Sequence, residues 1–252
     1  MRSWALLIAL ALPACQAPKG AEVQNMPAWQ TPDGARSLKM ELLSSFIEQG
    51  ATQDAMTLIH QLRDAKVDDP ELDLYQGMAL AQEGFDVEAE RILLEYRKKE
   101  PRDTRALESL ALIYADNDQR DEAIGVLQKA VEIDKSDAEA WNNLGFLQLS
   151  ASHYDEALAA LQKAVALDGT QARYRNNLGF AYAAEGRWHD AFEAFQSVGT
   201  PEDAHYNLGV AYELQNKKDA ALEQYQKAIE YNPNHEASQH AIARLEGTQE
   251  DK

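Results

Sequence analysis

Residues 138–171 read AEAWNNLGFLQLSASHYDEALAALQKAVALDGTQ, and residues 172–201 read ARYRNNLGFAYAAEGRWHDAFEAFQSVGTP. Laid one above the other, the two stretches share Asn-Asn-Leu-Gly-Phe and, twelve residues past the glycine, an alanine (Ala157, Ala191). Four residues beyond that alanine stand Leu161 and Phe195, and seven beyond it Ala164 and Val198. Spacings of three and four mark one face of a helix, so each half of a stretch is an amphipathic helix. A break such as Glu185-Gly186 separates the halves.

The pattern extends outward in both directions. Ala55, Ala89, Ala123, Ala157, Ala191 and Ala221 recur at intervals of 34, 34, 34, 34 and 30 residues. Twelve residues before them stand Leu43, Gly77, Ala111, Gly145, Gly179 and Gly209, and four residues after them Ile59, Leu93, Leu127, Leu161, Phe195 and Tyr225. A mid-helix glycine costs roughly 1 kcal/mol against alanine, so its recurrence implies a steric need. The small residue lets two antiparallel helices approach, and the large one fills the seam.

Trp141-Asn142-Asn143-Leu144-Gly145 and Tyr154-Asp155-Glu156-Ala157 resemble the tetratricopeptide repeat. The resemblance covers 36–235 as six units: 36–69, 70–103, 104–137, 138–171, 172–201 and 202–235. It implies an all-α, right-handed solenoid of six helix-turn-helix repeats with a C-terminal capping helix. The first unit is the most divergent, with Leu43 in the small slot, as suits a terminal repeat. Asp69-Pro70 and Thr200-Pro201 place a capping side chain before a helix-opening proline, and Ser136-Asp137-Ala138-Glu139 reads as a capping box. The fifth unit is four residues short, so its second helix should stop near Val198 and the pitch should change locally toward unit six. From residue 235 or 236 to Leu245 a final helix should cover the last seam, followed by a polar tail from Gly247.

The first residues tell of location. Arg2 precedes the apolar run Ala5–Leu12, which ends at Pro13-Ala14-Cys15. That is a secretory pattern, and the run is too short to span a bilayer, which takes about 20 apolar residues. Leu12-Pro13-Ala14-Cys15 resembles the lipobox of bacterial lipoproteins, with Pro13 departing from the usual small residue. The resemblance implies a signal peptide at 1–14, lipid on Cys15 and a flexible tether over 15–35 that carries Trp29. Gln16 is not the aspartate that holds many such proteins in the inner membrane, which points to the outer membrane, facing the periplasm. An ordinary signal peptide cut after Ala17 is the alternative.

Charge and composition narrow the function. The chain has 24 Lys and Arg against 42 Asp and Glu, a net charge of −18, which argues against nucleic acid as a partner because phosphate neutralisation drives that binding. One cysteine allows no internal disulfide and no cysteine-based zinc site. The histidines of His235-Glu236-Ala237-Ser238-Gln239-His240 are five apart, whereas a zincin helix needs four. No phosphate loop or nucleophile elbow is present, so the reading is a non-enzyme with no catalytic residue, cofactor or metal.

In the family that the repeats resemble, the first helix of each unit lines the groove. The residues there form an apolar stripe (Met78, Leu112, Phe146, Phe180, Val210) beside primary amides (Asn143, Asn177, Asn207) and two cations (Arg105, Arg173). Amides can bond a peptide backbone while the stripe takes its side chains, so the expected partner is a protein or extended peptide. Packing between neighbouring helices would also account for the stripe. The carboxylate clamp of some family members needs Lys and Asn where this chain has Leu74, Glu108, Asn142, Asn176 and Tyr206, and apolar groups. The resulting expectation is a lipid-anchored scaffold for assembly of a pilus or secretion system. An adaptor for cell-wall hydrolases or proteases and a periplasmic peptide-binding chaperone are the alternatives.

Overall fold

The computed structural model describes the backbone of residues 32–250 and the side chains of 34–247. The signal peptide, Cys15 and Trp29 lie outside the described residues. Among those described there are thirteen helices and no strand. We number them α1 (Pro32–Glu48), α2 (Thr52–Asp64), α3 (Glu71–Gln82), α4 (Asp86–Lys99), α5 (Arg105–Asp116), α6 (Arg120–Ile133) and α7 (Ala138–Ser150). They continue as α8 (Tyr154–Leu167), α9 (Ala172–Ala184), α10 (Trp188–Gln196), α11 (Pro201–Leu214), α12 (Lys218–Tyr231) and α13 (Glu236–Glu250). Odd and even helices up to α12 alternate as the first and second members of hairpins.

The described residues divide into two compact units, 32–68 and 69–250. In the first, α1 buries Met40, Leu43 and Ile47, and α2 buries Ala55, Leu58, Ile59 and Leu62. The helix α1 starts at Pro32, four residues before the expected start of the first repeat at 36, because proline is pre-set for the first helical position, where its missing N–H costs nothing.

The second unit holds the other five hairpins and α13. Each hairpin turns the same way. The second residue past the first helix adopts a left-handed conformation: Gly84, Asp118, Ser152, Gly186 and Asn216, with φ between 58° and 79°. The next backbone N–H then reaches the carbonyl five residues back, as in Phe85 to Leu80, His153 to Gln148 and Arg187 to Tyr182. This closes the helix with its last carbonyls satisfied.

The seam between the two helices meets the steric need read from the sequence. A Cβ on Gly77 would lie 2.7 Å from Leu93, one on Gly145 2.6 Å from Leu161, and one on Gly209 2.5 Å from Tyr225. Leu93, Leu161, Phe195 and Tyr225 are almost wholly buried.

The local expectations are met in some places and refined in others. Helix α10 has nine residues, against fourteen in α4, α6, α8 and α12, and ends before Val198. Val198 is therefore half-buried, while Tyr96, Ala130, Ala164 and Ala228 in the same slot are core. At α7 the cap is Asp137, whose Oδ1 accepts from the Ala140 N–H at 2.9 Å, and the Ser136 hydroxyl turns to Asp134 instead. At α3 the helix opens at Glu71, one residue after Pro70, with Asp69 Oδ1 accepting from the Glu71 N–H. Thr200 and Asp203 form the reciprocal capping box at α11. Helix α13 runs past Leu245 to Glu250 and buries Ala241 against Tyr225 and Ala221, with Ile242 and Leu245 beside them.

Candidate functional site: the groove of the first helices

The first helices of the second unit carry the sequence-chosen residues and treat them unequally. Leu112 is 64% exposed and Phe146 52% exposed. Phe180 is half-buried because its ring meets Phe195 edge-on at 5.0 Å. Met78 packs on the cluster of Leu74, Leu93 and Leu110, and Val210 on that of Tyr225 and Ala241. The stripe is therefore open in its middle and committed to the core at both ends.

The cations are engaged within the protein. Arg105 donates to Asp103 through Nε, at 3.0 Å to Oδ1, and through Nη2 it pairs with Asp103 and with Glu71 of the preceding repeat. The guanidinium is held above its ordinary value by these bonds, first those to Asp103 and then, against burial, that to Glu71. Burial pushes the Asp103 carboxyl up, but donation from Arg105 and from the Tyr96 hydroxyl (2.6 Å) outweighs it and holds the group below the usual range. Arg173 Nη2 donates to Glu139 at 2.9 Å, repeating the same inter-repeat pair one repeat interval of 34 residues apart.

The amides are linked as well. Asn177 Nδ2 donates to Asn142 Oδ1 at 2.8 Å, and Asn142 Nδ2 to Asn143 Oδ1 at 3.2 Å. Asn142, which the stripe reading passed over, is 1% exposed and joins the two repeats. Asn207 is half-buried and takes no part in this ladder.

Glu108 stands apart. Burial raises its carboxyl to about 7, opposed by a hydrogen bond from Thr104 and reinforced by Asp137, Glu139 and Asp103. Its Oε1 is buried and has no hydrogen-bond partner.

Beyond the stripe, a cleft of about 500 Å³ opens across α7, α9 and α11. Its lining includes Phe180, Tyr154, Leu214 and the alanines 183, 184 and 211. Leu214 is 73% exposed. The sequence signal for it lay one turn past the stripe on α11, at a position where the sibling helices carry Gln82, Asp116, Ser150 and Ala184.

One arrangement has the order of a catalytic triad: Asp203 Oδ1 lies 3.5 Å from His235 Nε2, and His235 Nδ1 2.8 Å from Ser238 Oγ. Ser238 is 0% exposed, and its backbone N–H lies 3.3 Å from the same Nδ1, so the imidazole caps α13 and the hydroxyl faces no substrate. Among the described residues no group of three or more His, Cys, Asp or Glu could hold a metal, and no helix is long and apolar enough to cross a membrane.

Family models agree with the hairpins. Residues 111–152 and 149–186 match the TPR repeat model, and residues 202–235 the tetratricopeptide repeat model. A solved structure of MamA superposes with a TM-score of 0.55 at 28% identity, covering 64% of this chain and 90% of MamA. YrrB, described as a TPR protein with an unusual peptide-binding site, gives 0.56 at 24% identity over 72% of this chain and 95% of its own. PilF of Pseudomonas aeruginosa gives 0.63 at 16% identity over 84% and 98%, a likeness of fold alone. No curated protein matches the chain. The class is therefore fixed: this is an all-α tetratricopeptide-repeat solenoid, a scaffold for protein–protein interaction.

Proposed function

We propose that the protein is a lipid-anchored scaffold of the bacterial envelope that holds a partner segment in its groove while a machine such as a pilus or secretion system is assembled. The observation that carries this reading is the open middle of the stripe, where Leu112 and Phe146 are more than half exposed on neighbouring first helices, with Leu214 exposed one turn past it on α11. Apolar side chains aligned along a groove and left uncovered mark an interaction site. The lipobox-like Leu12–Cys15 supports anchoring. Two or more acyl chains tether stably, and tethering raises the effective concentration of a docked partner at the membrane surface. The outer membrane, facing the periplasm, is the compartment that Gln16 favours.

The test is co-purification from native membranes with the intact protein beside a Phe146→Glu/Phe180→Glu variant of unchanged helicity. Loss of partners from the variant is expected, and their retention would refute groove binding. Cys15→Ser should release the protein into soluble fractions and abolish assembly. Intact function after release would refute tethering.

A further inference from the structure

The cleft across α7, α9 and α11 has a shape and an electrostatic setting that define its occupant. Ala183 and Ala211 are buried and Ala184 half-buried, while Leu214 and Tyr154 stand exposed. Small residues at the bottom and large apolar ones at the rim leave about 500 Å³, room for bulky side chains to enter.

The sign of the surroundings is equally one-sided. The first helices of the second unit (α3, α5, α7, α9 and α11) carry eight carboxylates and three cations, and four of the carboxylates are paired: Glu71 with Arg105, Asp73 with Lys99, Glu139 with Arg173 and Glu213 with Arg244. All three cations are engaged: Arg105 by Asp103 and Glu71, Arg173 by Glu139, and Arg175 by the Gly169 carbonyl. Along the same groove, a smaller pocket of about 170 Å³ sets the carboxylates of Asp86 and Asp116 beside Met78 and Leu112. Aliphatic walls next to carboxylates suit the stem and head of a lysine or arginine.

Resting on the groove reading above, we infer that the occupant is a segment of a partner protein that combines a bulky apolar anchor, seated in the α7–α9–α11 cleft, with a Lys or Arg that reaches the Asp86–Asp116 pocket. An acidic segment would meet the Asp86 and Asp116 carboxylates of the smaller pocket and, among the cations of the first helices, none that is not already engaged. The occupant class is thus the opposite of the acidic tails that the carboxylate clamp receives.

The test is selection of a random twelve-residue peptide library on the full-length chain at physiological salt, where screening acts beyond about 8 Å. Enriched peptides should be net positive and carry a large aliphatic or aromatic residue. Ala184→Phe, which fills the cleft from a half-buried position, should weaken them at least about tenfold with helicity unchanged. Asp116→Lys should weaken them more than Glu132→Lys, an equal change of charge on an exposed site of α6, outside the groove. Net-negative winners, or no enrichment, overturn the occupant class. Peptides that survive Ala184→Phe but are lost in Phe146→Glu/Phe180→Glu overturn the cleft assignment and leave the groove reading standing. Peptides indifferent to both changes overturn the two together.

Discussion

Gly179 lies so close to Phe195 that a Cβ on it would stand 2.5 Å from the ring. That approach sets the separation of α9 and α10, and the same relation recurs sixteen residues apart at Gly77–Leu93, Gly145–Leu161 and Gly209–Tyr225. Gly179→Ala should therefore destabilise by about 1–3 kcal/mol, the cost of overpacking a seam whose rigid ring is already buried. Gly125, inside α6 with nothing within 4 Å of its Cβ position, supplies the control. Gly125→Ala should stabilise by about 0.5–1 kcal/mol. Urea midpoints of the two variants should shift in opposite directions, and a shared direction would defeat the seam argument.

Ser152 holds φ at 63° in the turn between α7 and α8, where Gly84 and Gly186 serve the neighbouring hairpins. A side chain in that region is strained against its own carbonyl. Net of glycine's larger backbone entropy, Ser152→Gly should stabilise by about 0.5–1 kcal/mol. Thermal melts read this directly, and a lower Tm would contradict it.

Glu108 makes stability depend on pH. Its carboxyl sits at about 7 in the folded protein against an ordinary 4.5, so between those values the folded state holds a proton that the unfolded state has lost. The resulting stability is fully present at low pH and is lost as pH rises through about 7. Glu108→Gln stays neutral throughout. It should melt roughly 2–5 °C above the wild type near pH 8 and match it near pH 4.5. A difference that does not change with pH would count against a buried, raised carboxyl.

Arg105 is expected to matter for folding more than for recognition. Arg105→Ala leaves Asp103 and Glu71 without their partner and should cost about 1–2 kcal/mol, a figure reduced for the partial exposure of the pair. Peptide affinity should change less than about threefold. A large loss of affinity at unchanged stability would restore the arginine to the binding surface.

Gln148 occupies the slot filled by Tyr114, Tyr182 and Tyr212 in sibling repeats, is 5% exposed, and has an unpartnered Oε1. Gln148→Met keeps the length and removes the unsatisfied acceptor, which is worth about 1 kcal/mol or more. A higher urea midpoint is the expected result, and a lower one would mean that the amide is satisfied in solution.

The repeat was legible in the sequence because its cause is local and periodic. A small residue, a large one sixteen positions later and a turn residue between them specify a hairpin wherever they recur, and five hairpins of the second unit follow that rule. The shortened α10 followed from a four-residue deletion and a Thr200-Pro201 stop. Exact starts were less legible: a proline-rich stretch reads as a linker, yet Pro32 opens α1, and Ser136 looks like a cap although Asp137 takes that role. The groove was visible only as a list of residue types. Whether an arginine waits for a ligand or answers a carboxylate 34 residues earlier depends on how one repeat stacks on the next. Sequence by itself determined the helices, their pairing and the acidic balance, since these follow from spacing and composition. The tertiary structure decided which side chains are left over, because Arg105, Arg173 and Asn177 find partners only across repeats, while Leu112, Phe146 and Leu214 find none to cover them.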